Sequence, residues 1–221
     1  MGRETFITAV TWEDGWPVVE PVLLDERHAE VSRDWKPADG FDGEFIAVRQ
    51  FPADAADLSV RPGAARLQGD GDGMAASKPA FFGVRQCAEQ FTISTVLDVT
   101  EGVGGLSIRY DEAAHCDVEA DAELVTATMH VYGLTQSWTH WRANPAGEVQ
   151  LRISAVPPGA NGLVDFAASC DRLSASVLDG DWVEVGAVDG RFLSSEVCRA
   201  AARTAGRRSS PRARTGTAPH T

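Results

Sequence analysis

Between residues 91 and 189 apolar and polar residues alternate one for one in short runs, and Gly, Pro or Asp stops each run. A period of two puts one residue set on each face of a pleated strand and scatters the same set around a helix. Phe91, Ile93, Thr95, Leu97 and Val99 share one face of such a strand, while Thr92, Ser94, Asp98 and Thr100 share the other. The Gly104-Gly105 turn leads into Leu106–Tyr110, which reads as the hairpin partner of that strand. Leu124–Tyr132 is rich in β-branched residues, and Glu148–Ile153 alternates until Pro157-Pro158-Gly159 ends it. Trp182–Val185 lies between Asp179-Gly180 and Asp189-Gly190 turns. Strands in series without intervening helices predict an all-β sandwich or barrel. Helical text is scarce: Ala53–Leu58 suits one short turn, and Val197–Ala205 has no apolar stripe.

Three zones follow. Residues 1–23 carry the aromatic cluster Thr11-Trp12-Glu13-Asp14-Gly15-Trp16-Pro17, residues 24–197 hold the strands, and residues 198–221 form a basic tail expected to be disordered. That tail has almost no apolar content to offset its ordering entropy. It contains Arg199, Arg203, Arg207, Arg208, Arg212 and Arg214 and no acidic residue, so the body is more acidic than the net charge of −12. An acidic body repels nucleic acid and anionic membranes, and no run is long and apolar enough for a spanning helix. The N-terminus has no basic segment followed by an apolar one, so no signal peptide is read and a cytoplasmic location is expected. Cys87, Cys116, Cys170 and Cys198 could form two disulfides, but they are widely spaced, with no CxxC pair, and are expected to be thiols.

Few residues point to chemistry. Asp70-Gly71-Asp72-Gly73 offers oxygens to calcium but lacks the spacing of a calcium loop and reads as a surface turn. His115, His130 and His140 suggest neither a metal cluster nor a catalytic triad, and His130 in its alternating strand reads as structural. Ser194-Ser195 has no nucleophile elbow around it, and Gly71, Gly73 and Gly83 make no phosphate loop. No catalytic residue, metal site or cofactor is assigned.

An ordered set of segments does resemble a known family. The set opens with Glu4-Thr5-Phe6 and Val10–Val19, then Arg49-Gln50-Phe51-Pro52 and Leu58–Leu67. It continues with Pro79–Gln86, Phe91–Val99, Gly105–Ile108 and Asp189–Val197. Together these resemble the C-terminal concanavalin A-like domain of family 43 glycoside hydrolases, proteins similar to β-xylosidases and α-L-arabinofuranosidases. The resemblance implies a jelly-roll β-sandwich that accompanies a catalytic β-propeller. The two acids of glycoside hydrolysis would lie in that propeller, so the chain alone is expected to be inactive. Val84 and Cys87 depart from the family pattern, and Tyr132–Ala146 does not align with it. After Val197 the family's Gly-rich turn and two closing strands are missing from the text, as a frameshift near codon 198 would leave it. A sandwich without them is expected to be marginally stable, aggregation-prone or dependent on a partner.

Four aromatic residues are the site candidates. The resemblance places Trp12 and Trp16 at the junction with the propeller, where they pack against it or stack on a sugar. Without the propeller they would form an exposed apolar patch. Phe81 and Phe82 could line a cleft, although strand alternation sends one of them into the core. The expected partners are the catalytic β-propeller of intact relatives and, more weakly, xylan-derived oligosaccharides. The alternative reading is a free-standing carbohydrate-binding, lectin-like domain.

Overall fold

A computed structural model describes residues 8–20, 33–69, 71, 73–86, 91–143, 145, 147–156 and 172–190. Strands run Val10–Glu13 (β1), Trp16–Val19 (β2), Phe45–Ala47 (β3), Ala56–Asp57 (β4), Arg66–Leu67 (β5) and Phe82–Val84 (β6). They continue as Phe91–Asp98 (β7), Gly104–Asp111 (β8), Ala114–Ala120 (β9), Leu124–Val131 (β10), Leu134–Trp141 (β11), Glu148–Val156 (β12), Arg172–Asp179 (β13) and Asp181–Asp189 (β14). One helical turn, Pro52–Ala55 (α1), overlaps the expected Ala53–Leu58 only at Ala53–Ala55, since Ala56–Asp57 are strand β4; it has Pro in its first position and Asp54 bonded back to the Phe51 amide. Among the described residues no helix is long and apolar enough to cross a membrane.

Two four-stranded antiparallel sheets make the body, in the orders β11-β10-β9-β8 and β14-β13-β12-β7. They pack face to face around Val99, Val118, Val125, Ala127, Val149, Leu151, Ile153, Leu173, Val177 and Val185, all buried. The alternation read in β7, β10 and β12 is what aims these residues inward: Val125, Ala127, Met129 and Val131 are buried while the residues between them are half-exposed. Phe91 and Leu97 of β7 pack on the core as expected.

Two sequence expectations change. β8 is not the hairpin partner of β7: β7 pairs with β12 and β8 with β9, so the chain crosses between the sheets at Val99–Val103. The crossing is pinned where the Val99 amide donates to the Gly147 carbonyl at 2.6 Å, beside β12 rather than β9. The buried Val99 side chain then fills the core at the corner. The second change is that the stretch around Trp138, which had no reading, is strand β11. It returns from β10 through a two-residue turn, Tyr132-Gly133, with φ of 46° and 93°. Both central residues at positive φ are the mark of a type I′ hairpin, whose twist matches its strands.

In β14 the register shifts opposite Ala175/Ser176, so that Ala175 faces Gly186 and Ser176 faces Glu184. The extra residue is Val185, and Val185 and Gly186 are both buried in succession. This bulge switches the inward set from Val183 to Gly186 and Val188. The expected boundary at Val197, the closing strands and the basic tail lie outside the described residues.

Candidate functional site

Three surfaces carry residues with functional potential. The first is the β1–β2 ribbon. Its turn, Asp14-Gly15, has φ of 50° and 84°, the same primed hairpin as above. The ribbon is closed at its open end by Thr8 Oγ1 donating to the Glu20 carbonyl (2.9 Å) and the Glu20 amide donating to Ala9 (3.1 Å). Register places Trp12 beside Pro17 and Trp16 beside Glu13. The two tryptophans therefore project from opposite faces, Trp12 with Val10 and Val19, Trp16 with Val18. All eight strand residues are exposed, Trp12 at 72% and Trp16 at 76%. A bare ribbon with one apolar face (Val10, Trp12, Pro17, Val19) and a second on which Trp16 and Val18 stand beside Thr11 and Glu13 is a surface in want of a neighbour.

The second surface is an aromatic cluster over the β3–β6 pair. Phe82 stands with Trp35, Phe41 and Phe45, their ring centroids 5.1–6.0 Å apart, mostly tilted or edge to face. The Trp35 indole donates to the Gly40 carbonyl at 2.8 Å, and Arg33 lies over Phe45 at 4.9 Å while pairing with Asp42 and Glu44. Phe81 instead folds against Gly83, so closely that a Cβ there would meet its ring at 2.9 Å. Both phenylalanines are half-buried. Phe82 belongs to a satellite core rather than to an open cleft. Trp35, Phe41 and Phe45 escape a reading by period, because the first two sit on irregular chain and the third on a strand of only three residues.

The third surface is the outward face of the β8–β11 sheet, polar across its middle and apolar at one end, where Leu124 pairs with the exposed Trp141. One row across the strands reads Arg109, His115, His130 and Thr135; the next reads Ser107, Asp117, Thr128 and Ser137. His115 and Asp117 are nonetheless 2% and 6% exposed. The Gly73–Ala75 turn lies against β8 here, where Arg109 donates to the Met74 and Ala76 carbonyls at 3.2 and 3.4 Å. His115 Nδ1 donates to Asp117 Oδ2 at 2.6 Å, and Ser107 Oγ donates to Asp117 Oδ1 at 2.6 Å. The His115 and His130 rings lie 4.5 Å apart. Two of the three histidines that suggested no cluster in the sequence are therefore together, brought there by the β9–β10 register. His140 stands apart on the opposite face, its Nε2 3.0 Å from Asp179 Oδ2.

Electrostatics follow burial. Desolvation pushes the Cys116 thiol up to about 12, helped by the Asp117 charge. Glu119 is raised by burial and then by Asp117, with His115 opposing. His130 is lowered by burial and by His115, with Asp117 opposing. A cavity of about 30 Å³ lies between the sheets, lined among others by Cys116, Met129, Trp138 and Gly186. It has room for a water molecule and not for a sugar ring. The Asp70–Gly73 run falls partly outside the described residues.

Comparison with known proteins agrees with this architecture. Residues 38–206 match the family model of the β-xylosidase C-terminal concanavalin A-like domain. A xylosidase/arabinosidase of Butyrivibrio fibrisolvens is 30% identical over 116 residues, covering 45% of this chain and 22% of that protein. The structure of a Bacteroides ovatus protein, described as xyloglucan PUL GH43B, superposes with a TM-score of 0.64 at 21% identity. That match takes in 89% of this chain and 41% of that one. The chain thus spans less than half the length of either relative. The match ends at residue 206, past the expected boundary at Val197. With its two packed antiparallel sheets and a match over most of its length, this chain belongs to the family of β-xylosidase C-terminal concanavalin A-like domains.

Proposed function

We propose that the chain is a non-catalytic module that works by packing against the catalytic β-propeller of a xylosidase- or arabinosidase-type enzyme, in the cytoplasm. The observation that carries this reading is the β1–β2 ribbon, with Trp12 and Trp16 bare on opposite faces. A sugar-stacking platform gathers its aromatic rings on one face, whereas a ribbon with one bare tryptophan on each face suits insertion between two bodies. Phe81 and Phe82 support that contact from the body of the sandwich rather than binding sugar themselves, because Phe82 is committed to the Trp35 cluster. The lectin reading has less support, since the family matched is the C-terminal domain of β-xylosidases and the cavity between the sheets is too small for a sugar ring.

The test mixes the purified chain with a separately produced catalytic propeller from the Butyrivibrio xylosidase/arabinosidase. The expected outcome is co-elution and faster release of nitrophenol from aryl xyloside or arabinofuranoside. Changing Trp12 and Trp16 together to Ala should abolish both effects, and the chain alone should release nothing. Hydrolysis by the pure chain would overturn the proposal. So would saturable binding of xylo-oligosaccharides that is lost in the Trp12/Trp16 variant without any propeller.

A further inference from the structure

We propose that the outward face of the β8–β11 sheet holds a divalent transition-metal ion on His115 and His130, with Asp117 orienting the first ligand. Three observations carry it. His115 is buried, its side chain 3% exposed, and its Nε2 has no hydrogen-bond partner. A buried polar atom left alone is rare and calls for an ion or a water. Its other nitrogen is fixed, because Nδ1–H is held by Asp117 Oδ2 at 2.6 Å, and Asp117 is itself held by Ser107. A carboxylate on the far nitrogen is how ligating imidazoles are oriented and made more basic.

His130 is the second ligand. It faces His115 directly across β9–β10, and its Nδ1 lies 3.1 Å from Thr135 Oγ1, which leaves Nε2 as the donor nitrogen. Both imidazoles are thus tethered through Nδ1 to neighbouring strand residues. Donor atoms of His115, Asp117 and His130 all lie within 4.8 Å of one another. Donors around tetrahedral zinc are roughly 3.3 Å apart; with His115 fixed and the two rings 4.5 Å apart, rotation of the half-exposed His130 side chain is what brings its Nε2 towards that of His115. Paired neutral imidazoles suit zinc, nickel or copper rather than calcium or magnesium.

The surrounding charges accept a dication. Asp117 and Glu119 lie on the same face of β9, while the neighbouring cation, Arg109, is engaged by the Met74 and Ala76 carbonyls and lies 3.8 Å from Glu112. A bound ion would give the buried His115 nitrogen its partner and tie β9 to β10 on the face covered by the Gly73–Ala75 turn.

The experiment titrates the full chain, stripped with chelator, with Zn²⁺, Ni²⁺ and Cu²⁺, following bound metal and the melting temperature. His28, His220 and the cysteines can add background sites, so the decisive quantity is the difference between wild type and His130→Gln. His130 is half-exposed, and its replacement leaves the core untouched. The expected result is one more tightly bound ion in wild type than in H130Q, with a metal-induced rise in melting temperature that H130Q lacks. H115Q should lose the site as well, and D117N should weaken it by about 10–100-fold. H140Q should bind as wild type does. Equal stoichiometry and affinity in wild type and H130Q, with both folded by far-UV circular dichroism, overturns the site. Failure of all three ions to bind saturably overturns it too. A Co²⁺ derivative whose whole spectrum, thiolate charge-transfer bands included, is the same in wild type and H130Q would place the metal on cysteine alone, and the histidine site would fall with it.

Discussion

Replacing Gly186 by Ala tests how the two sheets meet at their β11 and β14 edges. Gly186 stands on β14 just after the bulge, and a Cβ built there lies 2.7 Å from both Cδ2 and Cε3 of Trp138 and 3.0 Å from its Cγ. Carbon atoms prefer about 3.5–4.0 Å, so the indole must retreat by nearly 1 Å. Trp138 packs against the buried core, and only the cavity of about 30 Å³ beside it gives any room. Overpacking of this kind costs about 1–3 kcal/mol. The loss of glycine's freedom in the unfolded chain returns about 0.4–1 kcal/mol. A net destabilisation near 1–2 kcal/mol results. In a Trp138→Leu background the clash disappears and only the entropic gain remains, so the same substitution should become neutral or mildly stabilising. Urea unfolding followed by far-UV circular dichroism on the four proteins of the cycle gives the coupling, expected near 2 kcal/mol. If Gly186→Ala costs the same in both backgrounds to within about 0.5 kcal/mol, the contact between Trp138 and β14 is refuted.

Leu151 is fully buried at the centre of β12, flanked by Thr95 on β7 and Val177 on β13, and Leu151→Ala should lower stability by about 2–5 kcal/mol in the same assay. Asp179 accepts from the Ala143 amide at 2.8 Å and from His140, and these bonds hold its carboxyl below the ordinary 3.8. A depressed folded-state value gives stability that is present above the unfolded value and lost as pH falls through the folded one. Asp179→Asn should therefore be less stable than wild type at neutral pH, with the gap closing below about pH 4, as melts across pH would record. Chains ended at Val197 and at residue 206 should melt alike if the sandwich stops at Val197. A lower melting temperature for the shorter one alone would assign 198–206 to the folded domain, in line with the extent of the family match.

What the sequence made legible was whatever depends on neighbours in the chain. The alternation at Phe91–Asp98, Leu124–Val131 and Glu148–Val156 reports which face of a strand is wet, and the structure keeps those faces except at Ile93, which is 40% exposed. Pairing was not legible, because a strand's face says nothing about which edge it meets. Leu106–Tyr110 fits β7 and β9 equally well, and only the corner at Val99 decides between them. The bulge was hidden for a related reason: Val183 and Val185 obey one alternation and Gly186 and Val188 another, and the change of phase appears only against β13. His115 and His130 look unrelated in the sequence because fifteen positions separate them. The β9–β10 register alone makes them neighbours. Trp35 and Phe41 carry no period at all and find each other through loops.

The crossing at Val99–Val103 sets an order of events during synthesis. β8 through β11 pair each with the next, so that sheet draws only on residues 104–141 and has short loops to close. β7 leaves the ribosome before all of them, yet its only hydrogen-bonded neighbour among the described strands is β12, beginning at Glu148. It must wait through the making of the whole other sheet with both edges open. Local pairings form early and distant ones late, so the nascent chain passes through a stage in which one sheet is complete and β7 hangs from its first strand. Thr92, Ser94 and Thr95 keep that waiting strand from being wholly apolar. It is the segment a chaperone, or another nascent chain, would meet first.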